Sequence, residues 1–351
     1  MLFQYNYRFI TNSILLVMMT LPRLFRQPRL TIVGAGDVGT RLQQYLQSRV
    51  RVYSLSRSRM SLLPNPSATA LTMDLDNYAH CKRMAALARW VVYLAPPPNV
   101  GDSDPRLRHW LCALKYRQAK LRTKSKIRFS YVSTTGVYGQ ANGGWVNEAS
   151  PLLPTTPRGT RRLSAEKTLR AMSLPKLQSK VRISSAILRA PGIYAHNAAV
   201  VGEAVRLPLE RLKNGTPALL DSEDSYSNHI HADDLARLAW RALFRRQAAF
   251  RGGNLRGGNA SKGWGGRAFN ACDGEPLKMG AYFDAVAAAT GLPPPPRVSK
   301  VFAQATVSPM QWSFMQDSRK ISNARLAELN MRLQYPNVAA ALNLLRSEEN
   351  K

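Results

Sequence analysis

The chain has 351 residues, which is long enough to bury a large core and to form two lobes rather than one. Its three cysteines lie far apart, without a C-x-x-C pair or a metal-ligand spacing, which argues against disulfides and structural zinc and favours a reducing compartment. The formal net charge of +29 favours anionic ligands over cationic ones.

Residues 1–28 precede the first predicted strand. Their apolar run, 14–19, is too short to span a bilayer, and no small-residue cleavage site follows it. We therefore expect a poorly ordered N-terminal extension, no membrane span and a cytoplasmic protein. We also expect no metal site, since the histidines form no ligand cluster.

The first predicted strand, Leu30–Val33, runs straight into a G-x-G-x-x-G turn, and helical spacing follows from Thr40 to Leu46. The first glycine permits a tight turn, the second lets the backbone approach a diphosphate, and the third lets helix and strand pack closely. Free N–H groups at the start of the helix then favour the negative charge. The turn predicts dinucleotide binding by Gly34, Gly36, Asp37, Val38 and Gly39.

The end of the second predicted strand, 51–55, bears on the coenzyme. A site for NAD would place a carboxylate there to bind the ribose 2′-hydroxyl, but the chain continues Ser56-Arg57-Ser58-Arg59. A guanidinium can hold a 2′-phosphate through two parallel bonds. We expect NADP, with Ser56 and Arg57 at its ribose. NAD stays the alternative if the two arginines are ordinary solvated charges.

Further strand-like runs at 70–75, 90–95, 126–133 and 183–189 alternate with helical segments. This rhythm predicts an α/β fold, a Rossmann-type doubly wound parallel sheet with a smaller C-terminal substrate lobe. We assign 29–190 to the nucleotide-binding domain and 191–345 to the lobe, which contains a glycine-rich loop at 252–266. Ligands of such sheets bind beyond the carboxyl ends of the strands. These ends gather Gly34, Ser56, Asp74, Leu94 and Ser133.

Four ordered motifs carry a family resemblance. Residues 133–139 are similar to S-[ST]-x-x-V-Y-G, 187–194 to L-R-x-x-x-[IV]-Y-G, 228–236 to I-H-V-x-D-[LV]-[AV], and 269–276 to an N-[VI]-[SG]-[DG] strand. Together with the glycine turn they resemble the extended short-chain dehydrogenases/reductases, the NAD(P)-dependent epimerase/dehydratase group, and most of all its atypical branch. The resemblance implies an NAD(P)-dependent oxidoreductase or epimerase. It also implies further cofactor contacts from Asp74, Leu75, Leu94, Ala95, Pro96, Ser133, Arg162, Pro191, Gly192 and Ile193.

The chain departs from the family at its Y-x-x-x-K pair. Alignment on Ala165-Glu166-Lys167 places Arg158 over the tyrosine and Arg162 over the lysine. Arg162 can still donate to ribose hydroxyls. A guanidinium stays protonated, so Arg158 cannot be a general base, although it can bind an anionic group or polarise a carbonyl.

The resemblance aligns Thr134 with the serine or threonine that bonds the reacting oxygen; otherwise this residue merely ends a strand. Tyr138 is a candidate replacement acid or base, with Glu148 and Asp104 behind it. His231 and Asp233 are expected to stabilise the lobe junction rather than to act in chemistry. A dehydratase is disfavoured, because the resemblance would require a carboxylate at Thr135 or Gly136.

Three hypotheses follow. The first is an NADP-dependent oxidoreductase or epimerase acting on a hydroxyl or carbonyl of an anionic, nucleotide-linked or simpler substrate. The second is a non-catalytic NADP-binding redox sensor. The third, nucleic-acid binding, rests only on basic runs such as 106–128, which show no nucleic-acid motif, so specific binding is not expected. The resemblance further implies a homodimer. The arginines at 158, 161 and 162 argue against the family's mode of pairing.

Overall fold

A computed structural model describes residues 27–58, 67–119, 125–174, 181–199, 205–244 and 266–349. The predicted extension (up to residue 26), Arg59 and nearly all of the glycine-rich loop lie outside these residues. The strands within them are β1 (Arg29–Val33), β2 (Arg51–Ser56), β3 (Ala68–Thr72), β4 (Trp90–Tyr93), β5 (Ser125–Thr134), β6 (Trp145–Val146), β7 (Val181–Ala190), β8 (Gly192–Tyr194), β9 (Ala218–Leu219), β10 (Tyr226–Ser227), β11 (His229–His231), β12 (Arg267–Asn270), β13 (Leu277–Lys278), β14 (Arg297–Val298) and β15 (Lys320–Ile321).

The helices lie between and after these strands. In chain order they are α1 (Asp37–Leu46), α2 (Tyr78–Met84), α3 (Pro105–Ala119), α4 (Pro157–Ser173), α5 (Leu209–Lys213), α6 (Ala232–Ala242), α7 (Met279–Thr290), α8 (Lys300–Thr306), α9 (Pro309–Met315) and α10 (Val338–Glu349). In the part of the chain that the structure describes, no helix is both long and apolar enough to cross a membrane.

Seven parallel strands form one large sheet in the order β12-β7-β5-β4-β1-β2-β3. The fold class is therefore confirmed as a Rossmann-type α/β sheet. Six strands of this sheet, β1–β5 and β7, match the runs predicted from sequence. Strand β3 lies at 68–72, however, and ends before Met73. Helix α1 begins at Asp37, three residues before the predicted start, because Gly36 is its extended N-cap.

Helices cover both faces of the sheet because successive side chains of each strand point to opposite sides. On one face Leu30 and Ile32 of β1 belong to the same buried cluster as Leu42 of α1 and Leu235 of α6. On the other face the cluster includes Trp110 of α3 and Leu169 of α4, both fully buried. This double layer leaves the carboxyl ends of the strands as the open edge.

Residues 191–345, which were assigned to the smaller lobe, contribute both to the large sheet and to a separate apolar cluster. Strand β12 pairs with β7 and completes the large sheet, and α6 packs on its face. Helices α5, α7 and α10 instead surround a separate apolar cluster that contains Phe283, Val286 and Leu342. The division at residue 190 stays a prediction, and the chain returns to the large sheet after it.

Candidate functional site

The glycine turn joins β1 to α1 in the conformation its sequence predicts. Gly34 has φ +89°, and a Cβ there would lie 2.5 Å from the backbone nitrogen of Ala95. At Gly39 a Cβ would lie 3.2 Å from Ile32 Cγ2, so this glycine permits close packing of helix on strand. At Gly36 a Cβ would meet nothing within 4 Å, which leaves open space beside the backbone.

The start of α1 fits a bound diphosphate. Its N-cap is Gly36, which has no side chain to accept from the N–H groups of the first turn. Uncapped N–H groups at a helix start bind anions, and the helix dipole adds to the attraction. Gly36, Asp37, Val38 and Gly39 all line the cavity described next.

A cavity of about 530 Å³ lies at the carboxyl edge of the sheet. Most of the residues predicted from sequence line it, and they come from seven separate stretches of the chain. Those that do are Gly34, Gly36, Asp37, Val38, Gly39, Ser56, Arg57, Leu75, Leu94, Ala95, Pro96, Ser133, Thr134, Arg158, Arg162, Pro191 and Ile193.

Two predicted cofactor residues do not line the cavity. Asp74 is exposed, and its carboxylate accepts a hydrogen bond from the Asp76 N–H at 2.9 Å. The N–H of Gly192 donates to the backbone oxygen of Asn228 at 3.1 Å, which fixes β8 beside β11. Each is a neighbour of lining residues, and a direct contact of either residue with the cofactor stays a prediction.

The structure also corrects the assignment of Tyr138 as a replacement acid or base. This side chain is 4% exposed and is not among the lining residues. Its hydroxyl donates to Asn270 Oδ1 at 2.6 Å and accepts from Arg189 Nη1 at 2.9 Å. Burial raises the pKa of the phenol. Tyr138 therefore acts in a buried polar network behind the cavity.

The two weaker carboxylate candidates lie outside the cavity lining as well. Glu148 accepts a bond from the Asn270 N–H at 2.8 Å. Asp104 is buried before α3, accepts from the Leu107 N–H at 3.0 Å, and has a pKa raised by burial. Neither carboxylate is therefore available at the cavity surface.

Two of the arginines that line the cavity lie near Asp76. Arg57 follows β2 and is exposed. Arg106, in the first turn of α3, was not predicted from sequence; its Nε and Nη2 donate to the two carboxylate oxygens of Asp76 at 2.8 and 2.6 Å. The hydrogen bond from Arg106, together with the charges of Arg106 and Arg57, lowers the pKa of Asp76. The Asp76 carboxylate is thus paired with Arg106.

A second group of arginines surrounds Arg158. Its own side chain is exposed and forms no hydrogen bond or ion pair with any described residue. Partial removal from water and repulsion from Arg162, Arg206 and Arg161 lower its pKa. Arg206 also lines the cavity, was missed from sequence, and reaches the carboxylate of Asp37 at 3.3 Å.

Arg162 is anchored at the cavity floor. It is 6% exposed, and its Nη1 donates to the Val132 oxygen and the Tyr131 hydroxyl, each at 3.0 Å. Its Nε is buried without a partner among the described residues. Thr134 ends β5 beside it, and the Thr134 hydroxyl oxygen accepts from the Gly136 N–H at 3.2 Å, which leaves its proton free to donate.

Asp233 and His231 lie where the first turn of α6 meets α1. Arg41 of α1 donates to Asp233 Oδ1 at 2.7 Å and to Asp37 Oδ1 at 2.9 Å. His231 is fully buried, and its Nδ1 accepts from the Asp233 N–H at 3.2 Å. These contacts join α6 to α1 on one face of the large sheet, and a role at the junction of the lobes stays a prediction. Within the described part of the chain, no group of three or more side chains could hold a metal ion.

The site is thus a basic cavity with a glycine turn, and its geometry defines a nucleotide-binding Rossmann protein. The chain belongs to the NAD-dependent epimerase/dehydratase family, whose model matches residues 30–255. The family's coenzyme is a nicotinamide dinucleotide. No curated protein matches the chain closely enough to extend this assignment.

Solved structures share the fold over almost their whole length. A conserved protein of unknown function from Silicibacter pomeroyi is 25% identical, with 92% of this chain and 99% of that chain covered and a TM-score of 0.68. MoeE5, solved with UDP-glucose and NAD, is 18% identical over 92% and 98%, with a TM-score of 0.65. The human epimerase family protein SDR39U1, solved with NADPH, is 16% identical over 91% and 99%, with a TM-score of 0.60.

Proposed function

We propose that the protein is an NADP-dependent oxidoreductase or epimerase that acts on a hydroxyl or carbonyl group of an anionic substrate. The observation that carries this proposal is a single cavity that contains the glycine turn at one wall and two separate groups of arginines. A dinucleotide needs the glycine turn for its diphosphate. One group of arginines would bind the 2′-phosphate of NADP, and the other would bind an anionic substrate. The structure of MoeE5 with UDP-glucose supports a nucleotide-linked compound as one kind of anionic substrate.

The preference for NADP is supported by charge at the end of β2. Arg57 lies there with no neighbouring carboxylate in 56–58, and Arg106 adds a second guanidinium while it neutralises Asp76. A 2′-phosphate would meet two cations, whereas a bare 2′-hydroxyl would lack the usual carboxylate partner. The human relative solved with NADPH and MoeE5 solved with NAD show that this fold accepts either coenzyme.

Thr134, Arg158 and Arg162, which also line the cavity, suit hydride chemistry on a polarised C–O bond. The coenzyme, when bound, supplies or accepts the hydride. The Thr134 hydroxyl donates to the reacting oxygen, and Arg158 stabilises negative charge that develops on it. Arg162, fixed by Val132 and Tyr131, offers N–H groups to the ribose.

Proton transfer must take a different route from the family's tyrosine. Among the described residues that line the cavity, the only carboxylate is Asp37, which is paired with Arg41 and Arg206, and there is no Tyr, Lys, His or Cys. We therefore assign the proton to water that reaches the exposed Arg158, relayed by the Thr134 hydroxyl.

That same observation favours a second candidate function. A cavity without a titrating side chain near neutral pH suits a protein that binds NADP and reports its redox state to a partner. The two candidates differ in turnover and in whether NADPH changes the affinity for a partner. Cytoplasmic location, homodimer formation and the lack of specific nucleic-acid binding stay predictions.

A substrate screen that follows NADPH absorbance tests the enzymatic proposal. Thr134→Ala should lower kcat with any active substrate, whereas Thr134→Ser keeps the hydroxyl and should retain most of it. Unchanged turnover in the alanine variant would discard the role of Thr134. NADP binding with no turnover on any substrate, and with a partner affinity that depends on NADPH, would favour the sensor.

A further inference from the structure

Arg206 reaches the start of α1 from beyond β8. It lines the cavity, and its Nη1 lies 3.3 Å from Oδ2 of Asp37, the first residue of α1. The uncapped N–H groups of this first turn are where a coenzyme diphosphate would bind. The guanidinium of Arg206 therefore lies beside the place of the diphosphate, although no sequence motif points to it.

Contacts with β8 and the residue after it fix the position of Arg206. The Ala195 N–H donates to the backbone oxygen of Arg206 at 3.2 Å, and Arg206 Nε donates to the Ile193 oxygen at 3.3 Å. Ala195 is fully buried, so the backbone at this point is anchored in the fold. The Nη2 of Arg206 donates to no described residue, and the side chain is 42% exposed. Its N–H groups are therefore available to a ligand in the cavity.

The carboxylate of Asp37 makes a second cation necessary at this turn. Asp37 lines the cavity and would repel a diphosphate bound beside it. Arg41 donates to Asp37 at 2.9 Å, but it also donates to Asp233 at 2.7 Å and is buried outside the cavity lining. One guanidinium thus serves two carboxylates, and Arg206 supplies the missing positive charge on the cavity side.

The location of the ligand, rather than the shape of the guanidinium, decides which anion is bound. A guanidinium binds phosphate and carboxylate groups alike. The open space beside Gly36 admits a diphosphate at the start of α1, and this is the turn that Arg206 contacts. We propose, on the basis of the proposed function, that Arg206 binds the diphosphate of NADP and that Asp37 holds its guanidinium in place. Arg158 is then left for the anionic substrate.

Calorimetric titration of the full chain tests this assignment without any turnover. The ligands are NADP⁺, NAD⁺ and adenosine 2′-monophosphate, which carries the 2′-phosphate but no diphosphate. The variants are Arg206→Ala and the double variant Asp37→Asn/Arg206→Ala. Arg267→Ala is the matched control, because Arg267 is 44% exposed, pairs with Glu328 and lies outside the cavity lining. Circular dichroism verifies that each variant is folded.

We expect Arg206→Ala to raise the Kd for NADP⁺ and for NAD⁺ by a similar factor of about ten, because both coenzymes carry the diphosphate. The Kd for adenosine 2′-monophosphate should change by less than about twofold. The double variant should bind both coenzymes more tightly than Arg206→Ala does, since it lacks the repelling carboxylate. Arg267→Ala should match the parent protein.

Unchanged coenzyme affinity in Arg206→Ala would overturn the proposal, as would a loss confined to NADP⁺, an equal loss for adenosine 2′-monophosphate, or an equal loss in Arg267→Ala. A double variant that binds no more tightly than Arg206→Ala would also overturn it, because Asp37 would then not oppose the diphosphate. With coenzyme binding by the parent protein, each of these results leaves the proposed function standing. A parent protein that binds neither coenzyme would overturn both.

Discussion

Glu166 and Arg189 form an ion pair sealed beneath the carboxyl end of β5. Arg189 Nη2 and Nε donate to the two Glu166 carboxylate oxygens at 2.8 and 3.1 Å, and each side chain is 1% exposed. Ser133, which lines the cavity, donates its hydroxyl to the same carboxylate at 2.7 Å. The pair thus links α4, β7 and β5 directly behind the site.

Breaking this pair should cost much of the stability of the fold. Glu166→Gln leaves the Arg189 charge buried without its counterion, and we expect the free energy of unfolding to fall by about 3–5 kcal/mol in urea denaturation. Arg170→Gln is the matched control, because Arg170 reaches Glu166 at 3.4 Å from a half-exposed position and should cost less than about 1 kcal/mol. Similar losses in both variants would contradict the special role of the buried pair.

The ribose end gives a prediction on coenzyme choice. Arg57→Ala removes a guanidinium proposed to hold the 2′-phosphate, so the Kd for NADP⁺ should rise roughly tenfold to a hundredfold. The Kd for NAD⁺, which lacks that phosphate, should change by less than about twofold. Calorimetric titration measures both, and Arg117→Ala controls for the loss of one positive charge. A parallel loss of affinity for the two coenzymes would refute the assignment.

Two glycines of the turn should respond differently to the same substitution. Gly34→Ala forces a Cβ at positive φ into the Ala95 backbone, and we expect about 1–3 kcal/mol of lost stability. Gly36→Ala meets no protein atom, so stability should stay within about 0.5 kcal/mol while the methyl group occupies the space of the diphosphate. NADP⁺ affinity should then fall by about tenfold or more. Unchanged affinity in Gly36→Ala would contradict the placement of the diphosphate.

His229 should make the fold sensitive to acid. It is 5% exposed and stacks on Tyr282 with ring centroids 4.1 Å apart, and burial lowers its pKa to about 4. The unfolded chain therefore binds the proton more readily, so this contribution to stability is complete above about pH 6.5 and is lost as the pH falls through about 4.

His229→Phe keeps the stacked ring without the titration. Between about pH 6.5 and 4 the parent protein should lose about 3 kcal/mol relative to this variant in urea denaturation. Asp273, whose pKa burial raises to about 7, titrates in both proteins and cancels in the difference. A pH-independent difference would show that His229 binds its proton equally well in the folded and the unfolded chain, and so would contradict the lowered pKa.

The features that could be predicted from sequence are local ones. The run Leu30–Val33 followed by three glycines contains its own strand, turn and helix start, and each glycine proved to have the close contact or open space that its position predicts. Apolar runs separated by helical segments likewise located six strands of the large sheet, β1–β5 and β7. A parallel strand that is buried on both faces has a continuous apolar sequence.

The remaining features depend on contacts between distant parts of the chain. Arg106 and Arg206 reach the cavity from segments with no motif of their own, through partners at Asp76 and Asp37. Tyr138 has a titratable phenol near Thr134, but only the fold shows that Arg189 and Asn270 occupy it. Sequence spacing carries no information on such pairings.

We propose that NADP binds at the turn between β1 and α1 with its 2′-phosphate at Arg57. Calorimetric titration of the full chain with NADP⁺ and with NAD⁺ tests it most directly. We expect saturable binding of both coenzymes, with NADP⁺ bound at least about tenfold more tightly. The absence of heat with either coenzyme would contradict it, and equal affinities would remove the assignment to NADP.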